Sequence, residues 1–202
     1  MSVHGEHWDS LSMYRLADAI VDKDFSMQIN SLDSCDYEGF NTAFRERIET
    51  LINFDFEKAD IITIAHGAND YMGGKLLDDP QNSYNTDTYA GALRYSMAKI
   101  TKAYPNIRIF VCSPAYRYFE FDGENYTDSD RRYFNRDSNI LPDFVNMAKA
   151  VAREFKTPFI DLYHEAGINK HNCRYFFRHP DGVHHAESGR LRIAEIISKY
   201  IF

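Results

Sequence analysis

The chain has 202 residues, 44% of them apolar and 26% charged, so it is long enough for one domain with a sizeable core and is composed like a globular protein, not a disordered one. A net charge of −7 supplies no basic surface and excludes nucleic acid as the main partner. No apolar run is long enough to span a bilayer, and the start lacks the basic segment and apolar stretch of a signal peptide; a cytoplasmic protein with no membrane partner is expected.

In chain order, Trp8, Leu11, Met13, Leu16, Ala17 and Ile20 recur at helical spacing and predict a helix over 8–21. Residues 25–30 predict a short strand, and a polar stretch follows. Phe44, Ile48, Leu51 and Ile52 predict a helix over 40–53. Residues 61–65 are apolar on both faces, as buried parallel strands are. A breaker-rich loop from Gly73 to Pro80 leads to a helix capped by Asn85 or Thr86, with Asp87 in its first turn. Ala90, Leu93, Met97, Ile100 and Tyr104 form its apolar stripe. Residues 107–111 predict a second buried strand, ending at Ser113-Pro114. Residues 115–138 show no strong period, and their Tyr and Phe residues either pack a long loop or line a pocket. Leu141, Phe144, Val145, Ala148, Val151, Ala152 and Phe155 make a helical face. Residues 159–162 predict a last strand, 163–185 a loop and 187–200 a final helix.

Alternating strands and helices predict one α/β domain over 1–202, built on a parallel sheet. Such sheets bind ligands beyond the C-terminal ends of their strands. Cys35, Cys112 and Cys173 are odd in number and lack a repeated spacing, which makes a poor disulfide framework and suits a reducing compartment.

Two strings carry chemistry. Gly67-Ala68-Asn69-Asp70 directly follows the strand at 61–65. Gly67 allows a sharp turn off the strand, and the Asn69 side-chain amide is a neutral donor that could meet an oxyanion. Taken alone, the string also reads as a simple turn. Asp181-Gly182-Val183-His184 precedes the last helix. An imidazole can accept and return a proton, and a nearby carboxylate fixes its tautomer. Taken alone, this string also reads as a helix-entry loop with a partly exposed His.

Together the strings resemble the SGNH hydrolases, also called the GDSL lipase/esterase family. Gly67-Ala68-Asn69-Asp70 resembles that family's G-x-N-D block. Asp181-Gly182-Val183-His184 is similar to its D-x-x-H block, with Gly189 and an apolar helix downstream. The resemblance runs from about Trp8 to the C-terminus. It implies a three-layer α/β/α, flavodoxin-like sandwich. It also implies Asn69 as oxyanion donor with Gly67 in the supporting backbone, His184 as general base, Asp181 as its orienting acid, and no cofactor or metal. The implied substrate is a small acyl or acetyl ester of a small molecule or carbohydrate, and a homo-oligomer is compatible.

The chain departs from the family in its first two blocks. The Gly-Asp-Ser block that carries the nucleophile is not identifiable, and the first strand reads as missing. Trp8-Asp9-Ser10 mimics the block with Trp in place of Gly, but Ser10 falls within the first predicted helix. The next block, Asn30 to Cys35, lacks its glycines; Ser31 and Ser34 there read as local hydrogen-bonders. An alternative function is therefore a non-catalytic ligand-binding protein on the same scaffold. A third class is a metal site, since His171, Cys173, His179, Asp181, His184 and His185 crowd one segment. Their spacing matches no common zinc pattern, and Arg174 and Arg178 oppose a cation.

Overall fold

The structure, a computed structural model, describes residues 9–35, 38–121, 125–130, 139–179 and 182–202. In chain order its elements are α1 (Met13–Asp22), α2 (Ser26–Asp33), α3 (Glu38–Asn53), a 3-10 turn (Phe56–Lys58), β1 (Ile61–Ile64), α4 (Ala68–Gly73) and α5 (Tyr89–Ala103). There follow β2 (Arg108–Cys112), β3 (Tyr118–Phe121), β4 (Asn125–Asp128), α6 (Leu141–Glu154), β5 (Phe159–Ile160), α7 (Leu162–Glu165), α8 (Cys173–Phe176) and α9 (Glu187–Ile201). Contacts divide the chain into two compact units, one of residues 1–62 and 92–108, the other of residues 63–91 and 109–202.

The first unit is helical. Leu11, Ala19, Phe25, Leu32, Cys35 and Ile48 form its core, and Leu16, Ile20, Ile29, Phe44 and Leu51 pack on them. The part of α5 within this unit is tied to α1 by polar contacts. Lys99 Nζ lies 2.5 Å from Asp18 Oδ1 and 3.1 Å from Asp22 Oδ2, and the Tyr104 hydroxyl donates to the Ile20 carbonyl at 3.2 Å.

The predicted strand over 25–30 is a helix instead, α2. Asp24 Oδ1 accepts from the Ser26 N–H at 2.9 Å and starts the turn. Gln28 is buried, and its side chain donates to the Ser10 carbonyl at 2.8 Å. Phe25, Met27 and Ile29 alternate as in a strand, but a run this short is a weak signal, and here the tertiary partner decides.

The second unit carries the sheet ends and the long C-terminal half. The sheet has the order β1-β2-β5. β2 and β5 run parallel, with Val111 opposite Phe159 and Cys112 opposite Ile160. β3 and β4 form a separate antiparallel hairpin within the stretch that lacks a sequence period. Of the expected helical face of α6, Leu141, Phe144, Val145, Ala148, Val151 and Ala152 are buried, whereas Phe155 caps the helix end and is half-buried. Each large side chain among them contributes roughly 1.5–3 kcal/mol by leaving water.

The cap of α5 differs from the expectation. Thr88, not Asn85 or Thr86, accepts the Gly91 N–H at 3.1 Å through its hydroxyl. Asn85 organises the preceding turn, accepting the Thr88 N–H at its carbonyl at 3.0 Å.

Candidate active site

β1 leads through Ala65 and His66 into Gly67, which caps α4 with φ at +119°. A side chain is strained at that angle, and a Cβ on Gly67 would meet the Tyr89 ring at 3.0–3.1 Å. Tyr89 is buried, and its hydroxyl donates to the His66 carbonyl at 3.2 Å. The Gly67 carbonyl accepts the Tyr71 N–H at 2.9 Å, which closes the first turn. Phe144 packs against both tyrosines, with ring centroids 5.3 Å from Tyr89 and 6.2 Å from Tyr71. The sharp turn is therefore held by buried aromatic rings, and Asn69 lies in its first helical turn as an exposed residue.

Asp70 sits beside it in a different environment. Burial raises its pKa above the ordinary carboxylate value, opposed by the attraction of His66 and by backbone N–H donors. Burial also lowers the pKa of His66, opposed by the Asp70 charge. Each group is pushed towards its neutral form. Neither is among the expected site residues, although a His and an Asp four residues apart, bracketing a G-x-N turn, are a legible signal.

The histidine motif enters the structure at Gly182, since Asp181 lies outside the described residues. Gly182 has φ at +61°, and a Cβ there would come within 2.2 Å of the Tyr118 carbonyl oxygen. Only glycine fits such an approach. The loop is tied down on several sides. The Gly182 N–H donates to Arg178 O at 2.9 Å, the Tyr118 N–H to Gly182 O at 3.3 Å, and the Arg178 N–H to His184 O at 2.8 Å. Arg117 adds a side-chain donor to the Val183 carbonyl.

His184 is exposed at the end of this loop. Its neighbour His185 is packed differently. The His185 ring stacks on Phe177 with centroids 4.7 Å apart and planes at 25°. Burial, Arg117, His184 and Arg190 together push its pKa down to about 4. Its Nε2 is buried with no hydrogen-bond partner among the described residues, a state that costs roughly 1–3 kcal/mol.

A cavity of about 340 Å³ joins the two motifs through their chain neighbours. Ala65 and Ala68 line it from the Asn69 turn, His185 from the histidine loop, Ser113 from the end of β2, and Leu162 from the start of α7, just past the β5 end. This is the C-terminal edge of the sheet, the edge at which parallel α/β sheets bind ligands. Ser113 is buried, and its hydroxyl accepts the Tyr163 N–H at 3.0 Å.

Ser10 belongs to the first unit, where it is buried and its carbonyl accepts from Gln28. Ser34 donates to the Ser31 carbonyl at 3.1 Å within the first unit, a local bond as expected. Among the described residues no three His, Cys, Asp or Glu side chains gather as metal ligands, and no helix is long and apolar enough to cross a membrane.

The profile of the GDSL-like lipase/acylhydrolase family matches residues 5–190. The chain belongs to that family. Solved structures agree on the fold. A possible lipase from Chitinophaga pinensis aligns with a TM-score of 0.56 at 21% identity, covering 78% of this chain and 77% of that one. A protein from Lactobacillus plantarum aligns with a TM-score of 0.60 at 20% identity, covering 72% and 67%. A candidate GDSL-like lipase from Parabacteroides merdae aligns with a TM-score of 0.52 at 21% identity, covering 92% and 80%. No curated protein matches the chain. The GDSL hydrolase fold, a three-layer α/β/α sandwich with a parallel sheet, is thus the one that the two motifs predict.

Proposed function

We propose that this GDSL-family hydrolase cleaves small carboxylic esters, with Asn69 and His184 as working groups. The observation that carries the reading is the cavity at the sheet's C-terminal edge, lined by the residue before Asn69 and the residue after His184. A serine oxygen, not identified in this chain, attacks the ester carbonyl. His184 takes its proton and delivers it to the departing alkoxide, while Asp181 orients the imidazole. The Asn69 amide, supported by the Gly67 backbone, donates to the oxyanion of the tetrahedral intermediate; one such donor supplies roughly 3–4 kcal/mol of transition-state stabilisation. Water then releases the acyl group by the same steps. The modest size of the cavity favours a short acyl group over a long lipid chain.

Another reading, a ligand-binding protein on this scaffold, draws on one observation. The serine on the cavity wall, Ser113, is buried and its hydroxyl is engaged by a backbone N–H. Kinetics on p-nitrophenyl acetate separate the two readings. The hydrolase reading expects turnover that falls about 10²-fold or more in Asn69→Ala and in His184→Ala. Turnover indifferent to both substitutions would overturn the assignment of these residues.

A further inference from the structure

The residues that follow β4 do more than end a hairpin. Ser129 is fully buried, and each of its polar groups is engaged. Its N–H donates to the Arg117 carbonyl at 3.0 Å, and its carbonyl accepts the Leu141 N–H at 3.1 Å. Its hydroxyl oxygen accepts the Arg117 N–H at 2.9 Å, and the same hydroxyl bonds the Tyr163 side chain. Tyr163 gives its own hydroxyl proton to Asp130 Oδ1, so its oxygen accepts from Ser129. One hydrogen-bonded chain thus runs from the Arg117 N–H through Ser129 and Tyr163 to a carboxylate. Each hydroxyl in it both gives and takes a bond, and the charged acceptor at its end strengthens the row.

The other end of this chain grips the histidine loop. Arg117 donates from its side chain to Val183 O. The next residue, Tyr118, donates its N–H to Gly182 O, and its carbonyl lies where a Cβ on Gly182 would stand. His184 follows directly. We infer that Ser129 and Tyr163 are positioning residues that act through Arg117 and Tyr118 to hold the loop presenting His184. The inference rests on the ester-hydrolase reading for its catalytic meaning and on the bonds above for its geometry. Neither side chain is among the described residues that line the cavity, so both act on the site through the loop alone.

Tyr163→Phe cuts the chain in its middle. It keeps the ring that packs on Tyr116, with centroids 6.2 Å apart, and the backbone bond to Ser113. Amide exchange on the full chain is the first readout. The Tyr118 and Arg178 N–H groups donate to Gly182 O and His184 O; they should exchange at least about tenfold faster in Tyr163→Phe, while the amides of α9 keep their protection. On p-nitrophenyl acetate, kcat should fall about tenfold with KM within about twofold, because a misplaced base slows the chemical step and leaves ground-state binding alone. Tyr200→Phe removes a hydroxyl bond to Glu165 elsewhere in the same unit and should change neither readout. Tyr163→Phe added to Ser129→Ala should lower kcat by less than about twofold beyond Ser129→Ala alone, as members of one chain do. Unchanged exchange at Tyr118 and Arg178 in Tyr163→Phe would overturn the inference. So would a raised KM with kcat kept, or equal effects from Tyr200→Phe. The hydrolase reading fails separately: faster exchange beside turnover that ignores His184→Ala keeps the tether and removes only its catalytic meaning.

Discussion

Gly67 and Gly182 show how much of a site can rest on a missing side chain. Each lies in the left-handed region, and each is approached closely, by a ring in one case and by a carbonyl in the other. Gly182→Ala places a Cβ 2.2 Å from Tyr118 O, so the histidine loop and the start of β3 must part. The expected cost is about 2–4 kcal/mol, from strained backbone plus a displaced loop. A urea midpoint lowered with unchanged slope would show it; a midpoint within error of the parent would mean that the loop is not held as described. The motif strings announce both glycines. They do not announce which of two adjacent histidines lines the cavity, because that depends on the Phe177 stack and on the bridge between Phe177 and His185, contacts between residues that no local spacing relates. His185 also gives the site a pH signature. Its folded pKa of about 4 lies below the ordinary 6.5. As pH falls from about 6.5 to about 4, the unfolded chain takes up a proton that the folded chain refuses, so stability declines across that window. After allowance for solvent screening of a partly exposed ring, the loss is about 2 kcal/mol. His185→Gln should flatten that decline when urea unfolding at pH 7 is compared with pH 4.5, while His66 contributes equally in both proteins.

At the scale of elements, long amphipathic patterns are legible in the sequence and short ones are not. α6 is readable because six of its apolar residues recur on one face, and its burial follows that face. α2 and the β3–β4 hairpin escape the same reasoning for physical causes. α2 is eight residues long and gains its place from a tertiary bond, Gln28 to Ser10. The hairpin strands have four residues each, too few for a convincing alternation, although the Asp122-Gly123 dipeptide between them is a hairpin signal in its own right. The elements also support the site unequally. Phe144 on α6 is fully buried and touches both Tyr71 and Tyr89, so it braces the Asn69 turn. Phe144→Ala should cost about 3–5 kcal/mol, well beyond Phe54→Ala, whose ring is 50% exposed. Amide exchange in α4 checks the brace: protection there should fall with the Phe144 change and hold with the Phe54 change. Equal effects on α4 would show that the turn stands without its aromatic support.

At the scale of the molecule, the question is how a chain with a proposed oxyanion donor and a proposed base behaves without an assigned nucleophile. Family membership over residues 5–190 supports a hydrolase of the GDSL type, and the cavity is the place proposed for its chemistry. Two serines bear on the question. Ser10 is buried in the helical unit, whereas the cavity-lining residues belong to the other, and the Ser113 hydroxyl is occupied by the Tyr163 N–H. Enzymes of this logic stripped of a triad member keep about 10³–10⁴-fold acceleration over water, from the oxyanion site and binding alone. The 202-residue chain should hydrolyse p-nitrophenyl acetate weakly, at or somewhat above that level, with the proposed base His184 activating water directly. Ser10→Ala should leave the rate within about twofold, because Ser10 is a buried part of the helical packing, its carbonyl held by Gln28. A fluorophosphonate, which labels only an activated serine, should modify far less than one equivalent of the chain. Stoichiometric labelling, located by peptide mass spectrometry, would instead reveal a working nucleophile. If that serine were Ser10, both its place in the helical unit and the division of labour drawn here would have to be redrawn around it.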